Sequence, residues 1–269
     1  MHISGHIKNI LKGAVIGSSM LIPGLSGGTT AIVLNIYDKL LKAVGDLFSN
    51  LKKNLLFLFQ VALGGIVGML LFSKLILALT ERYTEPMMFL FIGVVLGSLP
   101  PLFRKAELKK GHRLSVLWIV PGALLSLSLN FVPQNFLTET QGVSGFLFSV
   151  LCGVVIAVAL ILPGISTSHI LLLLGMYERV CQALGDLDFL FLMPILIGCV
   201  LGTLTLTRLL SFLLERFRSA AYCLIIGFVI GSIGEMLPNI PPQPLIWICL
   251  FSFIFGLTGV YFLGKHIHE

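Results

Sequence analysis

The chain has 269 residues, of which 57% are hydrophobic and 11% charged, with a mean hydropathy of +1.01. Soluble domains carry about a quarter charged residues, so a water-soluble globular fold is excluded. The net charge of +6 would suit a nucleic-acid partner in a soluble chain, but the basic residues fall mostly in short loops between apolar runs, as topology signals do, and that partner is set aside.

In chain order, an apolar stretch over residues 10–45, broken at Pro23-Gly24, is followed by spans at about 54–80, 86–103 and 114–131. A second stretch over 145–185, broken at Pro163-Gly164, precedes spans at about 188–214, 220–237 and 245–264. Each span approaches or exceeds the ~20 residues that a bilayer-crossing helix needs. The N-terminus lacks the charged region, short apolar core and cleavage site of a removable signal peptide, so the first stretch is expected to stay in the mature protein. Cys152, Cys181, Cys199, Cys223 and Cys249 are scattered singly without metal-ligand spacing and read as small core residues.

The two halves repeat. Residues 13–47 align without a gap over 153–187 at an offset of 140, with 12 of 35 positions identical, and residues 64–98 over 198–232 at an offset of 134, with 13 of 35. Composition alone gives about one match in ten, so the chain is read as a duplication, with repeats at 1–132 and 133–269. If the broken stretches are re-entrant hairpins, fourteen Lys and Arg collect on one side, against Arg82 and Arg179 opposite. If they cross, the loop residues divide ten to six. Basic residues favour the cytoplasmic side, and the more asymmetric solution is preferred. The expected fold is therefore an all-α integral membrane protein of two inverted-topology repeats. Each is a re-entrant helical hairpin plus three transmembrane helices, with both termini cytoplasmic, as in many secondary transporters.

The chemistry is expected at the hairpin tips: Pro23, Gly24, Ser26, Gly27, Gly28, Thr29 and Thr30 in the first, and Pro163, Gly164, Ser166, Thr167, Ser168 and His169 in the second. Proline and glycine end the incoming half-helix, and a serine can cap the outgoing one. Free backbone N–H groups, hydroxyls and small side chains then form an anion site without formal charge. Tips entering from opposite sides could meet near the midplane. His169, the only histidine expected at membrane depth, could take a coupling proton. Lys74 and Arg208 align with each other, seven residues before Glu81 and Glu215, which puts each roughly 10 Å inside its span. They place one cation near each mouth, and intramembrane cations are functional by default. Glu81-Arg82 and Glu215-Arg216 end the same spans as gating residues or ion pairs. Tyr37-Asp38-Lys39 and Tyr177-Glu178-Arg179 read as interfacial anchors.

Together the GxxI, PGxSGGT and Tyr-acid-base elements, the weaker PGIST copy, and the GxxxG segments ending in Glu-Arg resemble the polyprenyl-phosphate transporter family (PopT) over essentially the whole chain. The resemblance implies a plasma-membrane flippase of a bacterium or archaeon that returns undecaprenyl or another polyprenyl phosphate to the inner leaflet, recycling the lipid carrier for envelope polymers. The second hairpin departs from the motif, with Thr167-Ser168-His169 where the first has Gly27-Gly28-Thr29. The expected partners are that lipid and the membrane lipids. A coupling ion, proton or sodium, is left open, and no cofactor, metal, nucleic acid or catalytic residue is expected.

The rival from another class is an undecaprenyl-pyrophosphate phosphatase, an intramembrane enzyme with a similar Pro-Gly-x-Ser loop. Residues 13–37 and 153–177 hold no carboxylate and no arginine, and Gly27 and Thr167 follow the serines where that enzyme has arginine. Hydrolysis lacks its acid-base pair and metal ligands. A small-anion transporter would use the same hairpins with a hydrated path, whereas a lateral opening between helices favours a lipid.

Overall fold

The computed structural model describes residues 2–22, 25–108, 113–129, 143–165, 167–186, 188–238 and 241–268, and the regular elements among them are helical. In the first half these are α1 (His2–Ser19), α2 (Gly27–Val33), α3 (Tyr37–Gly45), α4 (Leu51–Arg82), α5 (Thr84–Gly97), α6 (Leu99–Ala106) and α7 (Ile119–Leu129). In the second they are α8 (Val143–Ile161), α9 (Thr167–Leu173), α10 (Tyr177–Gly185), α11 (Phe189–Arg216), α12 (Arg218–Gly231) and α13 (Leu245–His268).

Each broken stretch is thus three helical pieces rather than two. The additional break comes from a left-handed residue at matching positions, Asn35 at φ 52° between α2 and α3 and Gly175 at φ 69° between α9 and α10. Both residue types adopt that conformation at little steric cost. Four helices are long and apolar enough to cross a membrane: Leu47–Arg82, Thr84–Ala106, Phe189–Arg216 and Leu245–Lys265. The other two expected spans coincide with shorter apolar helices, Leu114–Leu129 and Arg218–Gly234. Along α4, Leu70 and Leu71 are each 70% exposed. Apolar surface on that scale calls for lipid as its solvent, and the chain is a multi-pass membrane protein.

Helix pairing follows one scheme in both halves. Helix α1 packs along α4 as α8 packs along α11, and α5 packs along α13 as α12 packs along α7. Glycines make these approaches close: a Cβ on Gly64 would overlap the backbone of α1, and one on its aligned partner Gly198 would overlap that of α8. With little hydrophobic drive between helices inside lipid, such backbone proximity supplies the packing energy. Each half lends a helix to the other, α5 being paired with α13 and α7 with α12. The buried core lies where these pairs meet α2 and α3, around Ile32, Phe91, Val95, Leu102, Ile226 and Val229.

Candidate functional site

The first tip is built by Ser26. Its backbone is extended, at φ −82° and ψ 150°, and its Oγ accepts from Thr29 N at 3.2 Å, capping α2. Thr29 Oγ1 lies 3.1 Å from the same oxygen, and Thr30 Oγ1 donates to Ser19 Oγ at 2.7 Å. Ser26, Thr29 and Thr30 are buried.

At the second tip the chain turns through Gly164 at φ +87°, with Pro163 fully buried beside it. A Cβ on Gly164 would lie 2.7 Å from the backbone of Phe228 and Val229, so space and dihedral both demand glycine. The two tips touch. Gly164 N–H donates to Ser26 Oγ at 2.8 Å, and a Cβ on Gly28 would stand 3.2 Å from Pro163 Cγ. Gly27 faces the Met20 side chain instead. Thr167 opens α9. Pro23, Gly24 and Ser166 lie outside the described residues, as do the side chains of Ser168 and His169.

Among the described residues, neither aligned cation contacts a tip. Lys74 is exposed on α4 with no hydrogen-bond or ion-pair partner among the described residues, while Arg208 is exposed on α11 and donates from Nε to Gly45 O at 3.3 Å. Glu81 and Arg82 are exposed at the end of α4, the Arg82 guanidinium 5.6 Å from the centre of the Tyr83 ring. Glu215 and Arg216 are exposed at the end of α11, and Glu215 borders a cavity of about 190 Å³ with Asp38, Lys42, Ser211 and Arg218. The ion pairs among the described residues are Lys105–Asp38, Arg179–Asp188 and Arg218–Glu107.

Asp38 and Tyr37 do more than anchor a helix end. Asp38 Oδ2 accepts from Lys105 Nζ at 2.6 Å, and its Oδ1 accepts from Tyr222 OH at 3.2 Å. Arg218 Nε donates to Lys105 O at 3.1 Å. Tyr37 is 3% exposed, and its hydroxyl donates to Ile161 O at 2.9 Å, two residues before Pro163. This cluster therefore ties α3, α6 and α12 together, and Tyr37 fastens the start of α3 to the end of α8. The signal available in the sequence was the recurring Tyr-acid-base triplet. Among the described residues, no group of three His, Cys, Asp or Glu side chains could hold a metal ion.

Residues 16–241 match the family model VCA0040-like, described as undecaprenyl phosphate translocase-like. The chain is 32% identical over 247 residues to a polyprenyl-phosphate transporter of Vibrio cholerae serotype O1 (strain ATCC 39315 / El Tor Inaba N16961), covering 87% of this chain and 78% of the relative. It is 31% identical over 271 aligned positions to a polyprenyl-phosphate transporter of Staphylococcus aureus (strain NCTC 8325 / PS 47), covering 96% and 95%. No solved structure gives a significant match.

Proposed function

The chain belongs to the undecaprenyl phosphate translocase-like family of polyprenyl-phosphate transporters, and from that premise we propose that it is a flippase returning undecaprenyl or another polyprenyl phosphate to the inner leaflet of a bacterial or archaeal plasma membrane. In this reading the two hairpins are re-entrant and enter from opposite sides of an inverted repeat, with both termini cytoplasmic. The phosphate is held between the tips by the hydroxyls of Ser26, Thr29 and Thr30 and the tip backbone. Lys74 and Arg208 receive it at the two mouths. Ser166, Thr167, Ser168 and His169 contribute from the second hairpin.

The observation that carries the reading is the Ser26–Gly164 contact. Polar, non-helical backbone is tolerated at membrane depth only when buried in protein or lining a cavity. A junction closed by a few hydrogen bonds is one that a competing anionic acceptor can open. On this reading no bond to phosphorus is broken, and the protein acts as a transporter rather than an enzyme.

Reconstituted liposomes loaded with undecaprenyl phosphate test this. Leaflet exchange without release of inorganic phosphate is the expected result. Phosphate release would make the protein a phosphatase, and no exchange in folded protein would refute the transport reading.

A further inference from the structure

Two cavities flank the tip junction. The larger, about 540 Å³, lies between α8, α11 and α12 and includes Val158, Leu162, Leu206, Leu210, Ala221 and Phe228 in its wall. The smaller, about 270 Å³, includes Ser18, Ile22, Phe72, Ile76 and Val94. At the two offsets that align the repeats, these five residues correspond to Val158, Leu162, Leu206, Leu210 and Phe228. The cavities are thus two copies of one feature.

The copies have diverged in chemistry. Ser18, Ser19 and Thr30 bring hydroxyls to the smaller cavity, whereas the matching positions of the second half hold Val158, Ala159 and Ile170. Among the described residues, no charged, hydroxyl or amide side chain lines the larger one. Its wall includes Ile161 and Leu162, directly before Pro163, and Phe228, whose backbone lies against Gly164. Trp118, Leu209 and Phe217 on its border are all more than half exposed, so it opens sideways.

We infer that the larger cavity is a chain-binding groove. It holds the isoprene units nearest the phosphate while the headgroup sits at the tips, and the smaller, hydroxyl-bearing copy holds no prenyl chain. This assignment rests on the transport reading above. A wall whose one polar side-chain group among the described residues is the Trp118 indole N–H offers little to a free anion, and a volume of this size falls within the range of ligand sites, ~300–1,000 Å³. Bilayer acyl chains are as apolar as leucine, so the groove gains little from hydrophobicity alone. Its advantage comes from the tether: a headgroup bound at Gly164 keeps its own first isoprene units at high effective concentration beside Ile161 and Leu162.

The test uses the full chain in phosphatidylcholine nanodiscs and an undecaprenyl phosphate analogue with a diazirine on the isoprene unit next to the phosphate. Crosslinks are expected on α8, α11 and α12, within residues 158–162 and 206–228, and competed by unlabelled undecaprenyl phosphate but not by excess phosphatidylcholine. Ala221→Phe, which fills the groove from its wall, should weaken undecaprenyl phosphate binding about tenfold or more, while Val15→Phe beside the smaller cavity should leave that affinity unchanged. Should Ala221→Phe fail to fold, the crosslinking map of the unaltered chain decides. Specific crosslinks on α1, α4 or α5, or wild-type affinity in folded Ala221→Phe, would overturn the groove while leaving transport intact. No binding of undecaprenyl phosphate by the unaltered, folded chain would remove the transport reading and the groove with it.

Discussion

Gly164 and Ser26 lie 138 positions apart, and the amide of the first donates to the hydroxyl oxygen of the second at 2.8 Å. The same oxygen accepts from Thr29 N, so a single hydroxyl caps α2 and secures the turn that follows α8. Ser26→Ala leaves two buried amides without that acceptor, at about 1–3 kcal/mol for an unsatisfied group. This exceeds the ~1 kcal/mol expected of a cap alone. The variant should melt at lower temperature and exchange lipid more slowly, with partial rescue by Ser26→Thr. Thermal unfolding and liposome exchange on the same preparations check it, and wild-type melting would show that the junction does not bear on stability.

Gly28 permits the other tip contact. Gly28→Ala needs only a few tenths of an ångström from Pro163, whereas the branched Gly28→Val has no such room. The alanine variant should keep part of the exchange activity, and the valine variant should lose undecaprenyl phosphate binding while remaining membrane-inserted. Unchanged binding by Gly28→Val would show that the tip does not hold the headgroup.

Asp38 serves Lys105 and Tyr222 at once. Its side chain is half exposed and that of Lys105 largely buried, so Asp38→Asn should destabilise by about 2 kcal/mol, mainly through the ammonium left behind. Adding Lys105→Gln should recover part of that loss, as expected of residues in contact. A double-mutant cycle on unfolding free energy measures the coupling, and strict additivity would contradict it.

Lys74→Gln and Arg208→Gln should each slow exchange by one to two decades, the equivalent of one charge-assisted contact worth about 1.5–3 kcal/mol. Protein abundance should change far less, since both residues are exposed. Exchange at wild-type rate in both variants would reduce them to side chains that reach the interface for their own solvation.

Topology is open to cysteine labelling. Glu107→Cys should react with an impermeant maleimide only after permeabilisation, and Tyr83→Cys in intact cells, both in a background without the native cysteines. Labelling of Glu107→Cys from outside would reverse the assigned orientation.

Features set by neighbours in sequence were legible in advance. Apolar run length located α4 and α11, at Leu51–Arg82 and Phe189–Arg216 against spans of about 54–80 and 188–214. The repeat alignment carries over to local detail, since Ser98 and Ser232 occupy matching positions and turn their hydroxyls back to Val95 O and Val229 O, where α5 and α12 end. Tertiary choices were not legible. The Gly93/Gly97 and Gly227/Gly231 pairs mark small-residue faces on α5 and α12, but spacing cannot say which helix covers them. For a similar reason Tyr37 reads as an interfacial anchor in the sequence, yet it is buried and bonded to Ile161 O. A tyrosine beside an acid and a base at a helix end suits both the membrane interface and a buried junction, and only the position of Ile161 distinguishes the two.

The exchange of partners between halves has a consequence for biosynthesis. Gly93 and Gly97 of α5 are covered by Phe253 and Leu257 of α13, which leave the ribosome some 160 residues later. Until then α5 has lipid or a chaperone against its small-residue face, although the rest of its repeat is already made. The first half therefore cannot finish on its own during insertion, and assembly waits for the second half to arrive. A chain stalled before α13 would be inserted yet unclosed, giving membrane quality control an exposed glycine face to recognise.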